Sequence, residues 1–304
     1  MRLMRLGVCI ILLSLLVNII GGCHSQFQPG TFVDDAGREV TINEIPQKIV
    51  SHVPSITEIL FALGLGERVV GVSDYCDYPE AAKSKPSVGN YFNPSIERIV
   101  ALNPDLVLTD GHSEGIKQLD ELEPPINYIV IDPKDIDGIF KDIELLGKVT
   151  GMEGEADKLN EDMQDTISHI LALVEDAPKV KVFYIIDATD PTLPWTAGPG
   201  SFIDSLITMA GGENIAAQAQ GAWVQFSIEE IVRSDPEIII LPAKHGTAFT
   251  SPGTLMGNPA WQGITAVKEG RISIIDDDLV SRSGPRIVLG LEEMAKIIHP
   301  ELFE

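Results

Sequence analysis

The chain is predicted to fold as α/β, in two α/β lobes with mainly parallel sheets bridged by one long α-helix. Three observations carry this. Short apolar runs alternate with helical stretches in both halves, as strands and covering helices do. A helix–strand segment is written twice, as SIERIVALNPDLVL at 95–108 and SIEEIVRSDPEIII at 227–240. A long amphipathic stretch without proline separates the halves at 153–176.

Arg2 and Arg5 precede the apolar run Leu6 to Ile20, and Gly21-Gly22 precede Cys23. This is the order of a secretory signal, expected over 1–22. The cysteine after the small pair resembles a bacterial lipobox, so Cys23 is the expected lipidation site, followed by a tether over 23–30. Outside these, only Cys76 remains, and one thiol closes no internal disulfide. The formal charge of −23, from 45 acidic against 22 basic residues, argues against a nucleic-acid partner, whose phosphates require basic stripes.

The first lobe is expected over 31–150. FVDDAGREVTI (32–42) alternates around Ala36-Gly37 and predicts a hairpin. KIVSH (48–52), RVVGV (68–72), LVLT (106–109) and YIVI (128–131) are short apolar runs, the pattern of strands buried on both faces. PSITEILFALGLG (54–66) predicts a helix with Pro54 in its first turn and Gly64 as its stop. The bridge is expected over 151–178. Ala156, Leu159, Met163, Ile167, Leu171 and Val174 follow one another by steps of three and four, a single stripe that Pro178 ends. The second lobe, 179–304, repeats the grammar: strands at 180–187, 237–241 and 271–275, and helices at 201–211 and 285–299.

In the repeated segment Ser95 and Ser227 are expected N-caps, and Ser227 with Glu230 forms a capping box that Ser95 with Arg98 does not. Glu97 and Glu229 recur at one position. They either complement the positive helix ends or form a matched pair, one per lobe, that docks a partner carrying two cations.

Tyr75, Tyr78, Tyr91, Phe92, Trp195 and Trp223 fall in Gly/Pro-rich loops. Such loops beyond strand ends are where open α/β sheets bind ligands. The rings either line a cleft for a large, flat, partly apolar ligand or fill the core of their own lobes. Arg282 and Arg286 follow the run Asp276–Asp278 and either bind a ligand's amide or phosphate groups or pair with these acids. His52, His112 and His245 are metal-ligand candidates without a metal-site spacing. GPGSF is not a G-x-S-x-G elbow, and no Walker lysine loop or strand-linked G-x-G-x-x-G occurs, so no enzyme is expected.

The order FVDDAGREVTI, KIVSHVPSITEILFALG, VGVSDYCDYP, SIERIVALNPDLVL, PWTAG, GGENIA, SIEEIVRSDPEIII, SGPRIVL resembles the substrate-binding proteins of iron-siderophore and vitamin B12 ABC importers, over about residues 31–300. SDYCDYP, ERIVALNPDLV and SGPRI point to its cobalamin-binding branch. The resemblance implies a lipid-anchored, extracytoplasmic protein that captures cobalamin or a related corrinoid and delivers it to a membrane permease with its ATPase. It performs no chemistry. The alternative cargo is a ferric siderophore or haem. By the same resemblance Pro54, Tyr75, Tyr91, Trp195, Trp223, Asp278 and Arg286 contact the ligand. Tyr91 stands where that branch has tryptophan, and Trp195 where it has phenylalanine. Glu97 and Glu229 pair with permease arginines. His52 departs from the pattern, and its imidazole is a candidate axial ligand to cobalt. No resident metal or cofactor is expected.

Overall fold

Apolar runs with no polar side build two sheets here, because both faces of each are covered. In the computed structural model, which describes residues 27–113, 115–244 and 251–303, the expected signal segment, Cys23 and His245 lie outside the described residues. β1 (Gly30–Val33) and β2 (Glu39–Ile42) form an antiparallel hairpin that turns at Gly37, φ 74°. The first sheet holds β3 (Ile49–Ser51), β4 (Val69–Val72), β5 (Leu106–Thr109) and β6 (Tyr128–Val130), all parallel, in the order β4-β3-β5-β6. α1 (Pro54–Ala62), α2 (Ile96–Ala101) and α3 (Ile136–Thr150) accompany it, and α4 (Glu153–Val174) leads out of it.

The second sheet is mixed. β7 (Val180–Asp187) pairs in parallel with β9 (Gly212–Asn214) and β11 (Ile238–Pro242), and β11 with β12 (Ile272–Ile275). β8 (Trp195–Ala197) and β10 (Trp223–Gln225) extend the sheet as an antiparallel ribbon. α5 (Phe202–Met209), α6 (Ile228–Ser234), α7 (Pro252–Gly257), α8 (Thr265–Lys268), α9 (Asp277–Ser281) and α10 (Ile287–Ile298) complete this lobe.

Alternation along the strands divides the core. On β5, Leu106 and Leu108 face one cluster and Val107 another; on β7, Val182 and Tyr184 face the same first cluster and Phe183 and Ile185 a third. The first cluster is therefore continuous through both lobes. α4 threads it with Ala156, Met163, Ile167, Ile170 and Val174. At about 1.5 Å per residue its 22 residues span about 33 Å. The predicted stripe is corrected at one step: Ile170 is buried, and Leu171 is 41% exposed. A straight helix drifts by 3.6 residues per turn, and the step from Ile167 to Ile170 keeps the stripe on the core. α4 also packs against α3, whose Gly147 admits it: a Cβ there would lie 2.5 Å from the Ala156 Cβ.

The repeated segment is one local structure built twice. Ser95 Oγ accepts from Arg98 N, and Ser227 Oγ accepts from Glu230 N within a full capping box. Each helix then ends on a residue with φ 48°, Asn103 and Asp235, the only non-glycine residues at positive φ among those described. Asn and Asp tolerate this region, and the proline that follows each stops the helix. The next acid ties the segment to its sheet. Asp105 accepts from Gln47 N and Lys48 N at 2.8 Å, and Glu237 from Lys181 N at 3.1 Å.

One buried acid sits uneasily in this frame. Asp142 on α3 is 3% exposed, and its Oδ2 has no hydrogen-bond partner among the described residues. Burial, then the charge and hydrogen bond of Asp35, push its pKa up to about 8. Folding therefore retains a proton that the unfolded chain releases near pH 3.8. The resulting stability is full below that pH and is lost as pH rises through about 8, at about 1.4 kcal/mol per pH unit inside the window. Urea unfolding should show the wild type losing up to about 3 kcal/mol between pH 6 and 8, with Asp142→Asn losing correspondingly less. Parallel pH profiles of the two proteins would contradict this assignment.

Candidate functional site

The four strands of the first sheet, and β12 of the second, lead at their carboxyl ends into a cleft that holds a cavity of about 460 Å³. Its walls are the residues that follow the strands' carboxyl ends. β3 delivers Val53, Pro54 and Ser55, the uncapped first turn of α1. β4 delivers Tyr75, β5 delivers Asp110 and His112, and β6 delivers Ile131 and Asp132. Tyr91 and Phe92 enter from the loop before α2. The second lobe contributes Asp278 and Ser281 of α9, then Arg282 and Ser283.

Tyr91 is held from three sides. Its hydroxyl donates to Asp110 Oδ2, its ring stacks on His52 (6.4 Å, 9°), and its edge meets Phe92 (5.0 Å, 85°). Burial and the Asp110 hydrogen bond raise its pKa, so it remains a phenol. Asp110 Oδ1 also accepts from Ser113 Oγ at 3.0 Å and His112 N at 3.1 Å.

His52 is corrected as a cobalt ligand. It is fully buried, with Nδ1 3.0 Å from Ser113 Oγ and Nε2 2.9 Å from the Asn90 carbonyl, so neither ring nitrogen is open to the cleft. Burial lowers its pKa despite the Asn90 hydrogen bond and the nearby Asp110. The imidazole backs Tyr91 instead.

An ionic layer closes the cleft between lobes. Glu58 of α1, whose side chain is 1% exposed, meets Arg286 through both oxygens: Nε to Oε2 at 2.8 Å and Nη2 to Oε1 at 2.6 Å. Arg282 Nη1 reaches the same Oε1 at 3.1 Å and Asp77 at 2.7 Å, and Nη2 reaches Asp278 at 2.9 Å. Lys244 Nζ completes the chain at 2.6 Å from Asp278. Although burial alone would raise it, Asp77 is held below the usual carboxylate range by Arg282. Gly284 lies so close to α1 that a Cβ there would come within 3.2 Å of the Ser55 carbonyl.

The cavity thus gathers Pro54, Tyr75, Tyr91 and Asp278. Arg286 turns away from it: Glu58 fixes its guanidinium, which lies 4.0 Å above the Tyr78 ring. It walls a second cavity of about 430 Å³, behind the ionic layer, with Phe61, Leu159 and Met163. Arg282 takes the cleft side. Trp195 and Trp223, 43% and 54% exposed, do not line the cavity; the β8–β10 register puts them on one face of the ribbon. Glu97 and Glu229 stand at equivalent positions in α2 and α6, exposed and without an ion pair among the described residues. Asp110 and Asp132 were legible only as acids just past predicted strands, and Glu58 as the lone charge in an apolar helix. Among the described residues no helix is long and apolar enough to cross a membrane.

Residues 49–279 match the family described as "Periplasmic binding protein". An uncharacterized ABC transporter substrate-binding lipoprotein of Bacillus subtilis (strain 168) is 35% identical over 91% of this chain and 87% of its own. A vitamin B12-binding protein of Pectobacterium carotovorum subsp. carotovorum (strain PC1) is 30% identical over 82% and 87%. The solved periplasmic heme-binding protein RhuT of Roseiflexus sp. RS-1 is 27% identical, with TM-score 0.74 over 84% of this chain and 99% of that one.

The ionic layer gives a direct test. Glu58→Ala leaves two guanidinium groups without their shared buried partner and should cost about 3–5 kcal/mol in urea unfolding. Glu58→Ala with Arg286→Met should recover part of this. A single-variant loss under about 1 kcal/mol, the scale of an exposed pair, would show that solvent already screens the layer.

Proposed function

The chain belongs to the periplasmic binding protein family, as the substrate-binding protein of an ABC transporter and not an enzyme, and we propose that its cargo is a corrinoid. The observation that carries this reading is the charge of the cavity wall. Among the described residues, its acidic and basic lining is three carboxylates, Asp110, Asp132 and Asp278, with His112 and one guanidinium, Arg282, already shared by Glu58, Asp77 and Asp278. Ferric catecholates and the propionates of haem are anionic and would meet no free Lys or Arg among the described residues there. A corrinoid carries amide groups, whose N–H donors suit carboxylate acceptors, around a flat apolar body that suits Tyr75, Tyr91 and Phe92. The vitamin B12-binding relative supports this reading. Haem or siderophore capture is the second reading, supported by the resemblance to a heme-binding protein.

The Cys23 motif and the lipoprotein name of the Bacillus subtilis relative support a lipid anchor on the extracytoplasmic side. Glu97 and Glu229 are the proposed contacts to permease arginines, since each offers, on one lobe, an exposed carboxylate without an ion pair among the described residues. Pro54, Tyr75, Tyr91 and Asp278 are the proposed cargo contacts, with Trp195 and Trp223 as further ones on the second lobe.

Titration with cyanocobalamin should quench tryptophan fluorescence saturably at one-to-one stoichiometry, whereas haem and a ferric tricatecholate should bind at least tenfold more weakly. The reverse order would replace the corrinoid reading with the second one. Glu97→Arg with Glu229→Arg should abolish uptake in a transport assay while leaving quenching intact. Undiminished uptake would remove both residues from the docking role.

A further inference from the structure

Among the described residues, the cavity wall holds one imidazole. His112 follows β5, its side chain is 63% exposed, and it lines the cavity beside Tyr91. Its Nδ1 lies 3.6 Å from Asp110 Oδ2, and its Nε2 has no hydrogen-bond partner among the described residues. At that distance the carboxylate makes no hydrogen bond to the ring, but its charge lies on the Nδ1 side and favours the proton there, which leaves the lone pair on Nε2. Asp110 is itself fixed by Tyr91, Ser113 and the His112 backbone N–H, so the carboxylate is not free to swing away.

No group of three or more His, Cys, Asp or Glu among the described residues could hold a free metal ion. A metal enclosed in a macrocycle is different, because the cargo supplies four equatorial donors and the protein need supply only one. Of the described histidines, His112 alone lines the cavity: His52 has both nitrogens engaged and His299 is 1% exposed. Tyr91 and Phe92 line the same cavity, with Phe92 meeting the Tyr91 ring edge to face, so Tyr91 is the ring that can lie along the macrocycle.

We infer that His112 Nε2 is the axial ligand to the cobalt of a bound corrinoid whose lower face is open; the inference rests on the corrinoid reading above and extends it. The Nε2 lone pair forms a dative bond to cobalt, an axial water leaves, and the oxidation state of the metal does not change. Asp110 is a positioning residue, acting through its charge on the Nδ1 side of the ring. The site would then favour corrinoids that bring no lower base of their own.

The probe is cob(II)inamide, which has no nucleotide base, so any axial nitrogen must come from the protein. Bound to the full-length chain in detergent, it should give an electron paramagnetic resonance spectrum with triplet splitting from one axial ¹⁴N. The triplet should become a doublet when the protein is grown with ¹⁵N-histidine, a readout that needs no mutation. His112→Ala should lose the splitting and bind cob(II)inamide at least about tenfold more weakly, the scale of losing even an outer partner of a metal ligand. Tryptophan quenching without nitrogen splitting in the wild type, or splitting that survives in His112→Ala, would overturn the His112 assignment alone. No quenching by cob(II)inamide or cyanocobalamin would overturn the corrinoid reading and this inference with it.

Discussion

Glu58 is buried in the helix PSITEILFA, where an isolated carboxylate would be strongly unfavourable. It is tolerated because Arg282 and Arg286, more than two hundred residues away in sequence, converge on it from the other lobe. The pairing acts in both directions. The arginines neutralise the acid, and the acid aligns a segment in which Arg282 faces the cleft, Arg286 faces the second cavity, and Gly284 rests on the first turn of α1. A bidentate arginine–carboxylate pair has a narrow geometry, so this contact fixes how the two lobes meet as well as whether they do. Both cavities are shaped by that one junction.

The remainder of the molecule keeps the junction in register. The apolar cluster that runs through both lobes, with α4 along it, leaves the lobes no independent cores on that side. Wide opening would expose the stripe of Met163, Ile167 and Ile170 to water, at roughly 1.5–3 kcal/mol for each side chain. The shared core therefore resists wide separation of the lobes. The site follows the same economy. Tyr91 is positioned by Asp110, Phe92 and His52 before any ligand arrives, and the ring nitrogens of His52 are spent on that task.

Much of this architecture was legible in sequence because it is local. Strands buried on both faces read as unbroken apolar runs; the helix in 153–176 read as a stripe ended by Pro178; the capping box at Ser227 and Glu230 is a four-residue signal that the fold realises. What sequence could not give was pairing at a distance. Nothing in SGPRI says that Arg286 belongs to Glu58 while Arg282 faces the cavity. Nothing in LPWTAG or GAWVQ says that the two tryptophans join one antiparallel ribbon, because both stretches are too short for periodicity to identify a strand. His52 misled for the same reason: an imidazole after a strand reads as a ligand until its two partners, Asn90 and Ser113, are brought alongside by other loops.

The twice-written segment has a mechanical consequence. Glu97 and Glu229 each occupy the second position of a short helix that is capped at its start, locked at its end by a residue with φ 48°, and tied by the next acid to the start of its lobe's β3 or β7. Neither carboxylate can shift much against its own sheet. The two are therefore the tips of a caliper whose joint is the Glu58 junction and whose beam is α4. A small rotation at the joint is read out as a change in tip spacing, so a rigid surface with two fixed basic sockets could gauge the state of the cleft without touching the cargo.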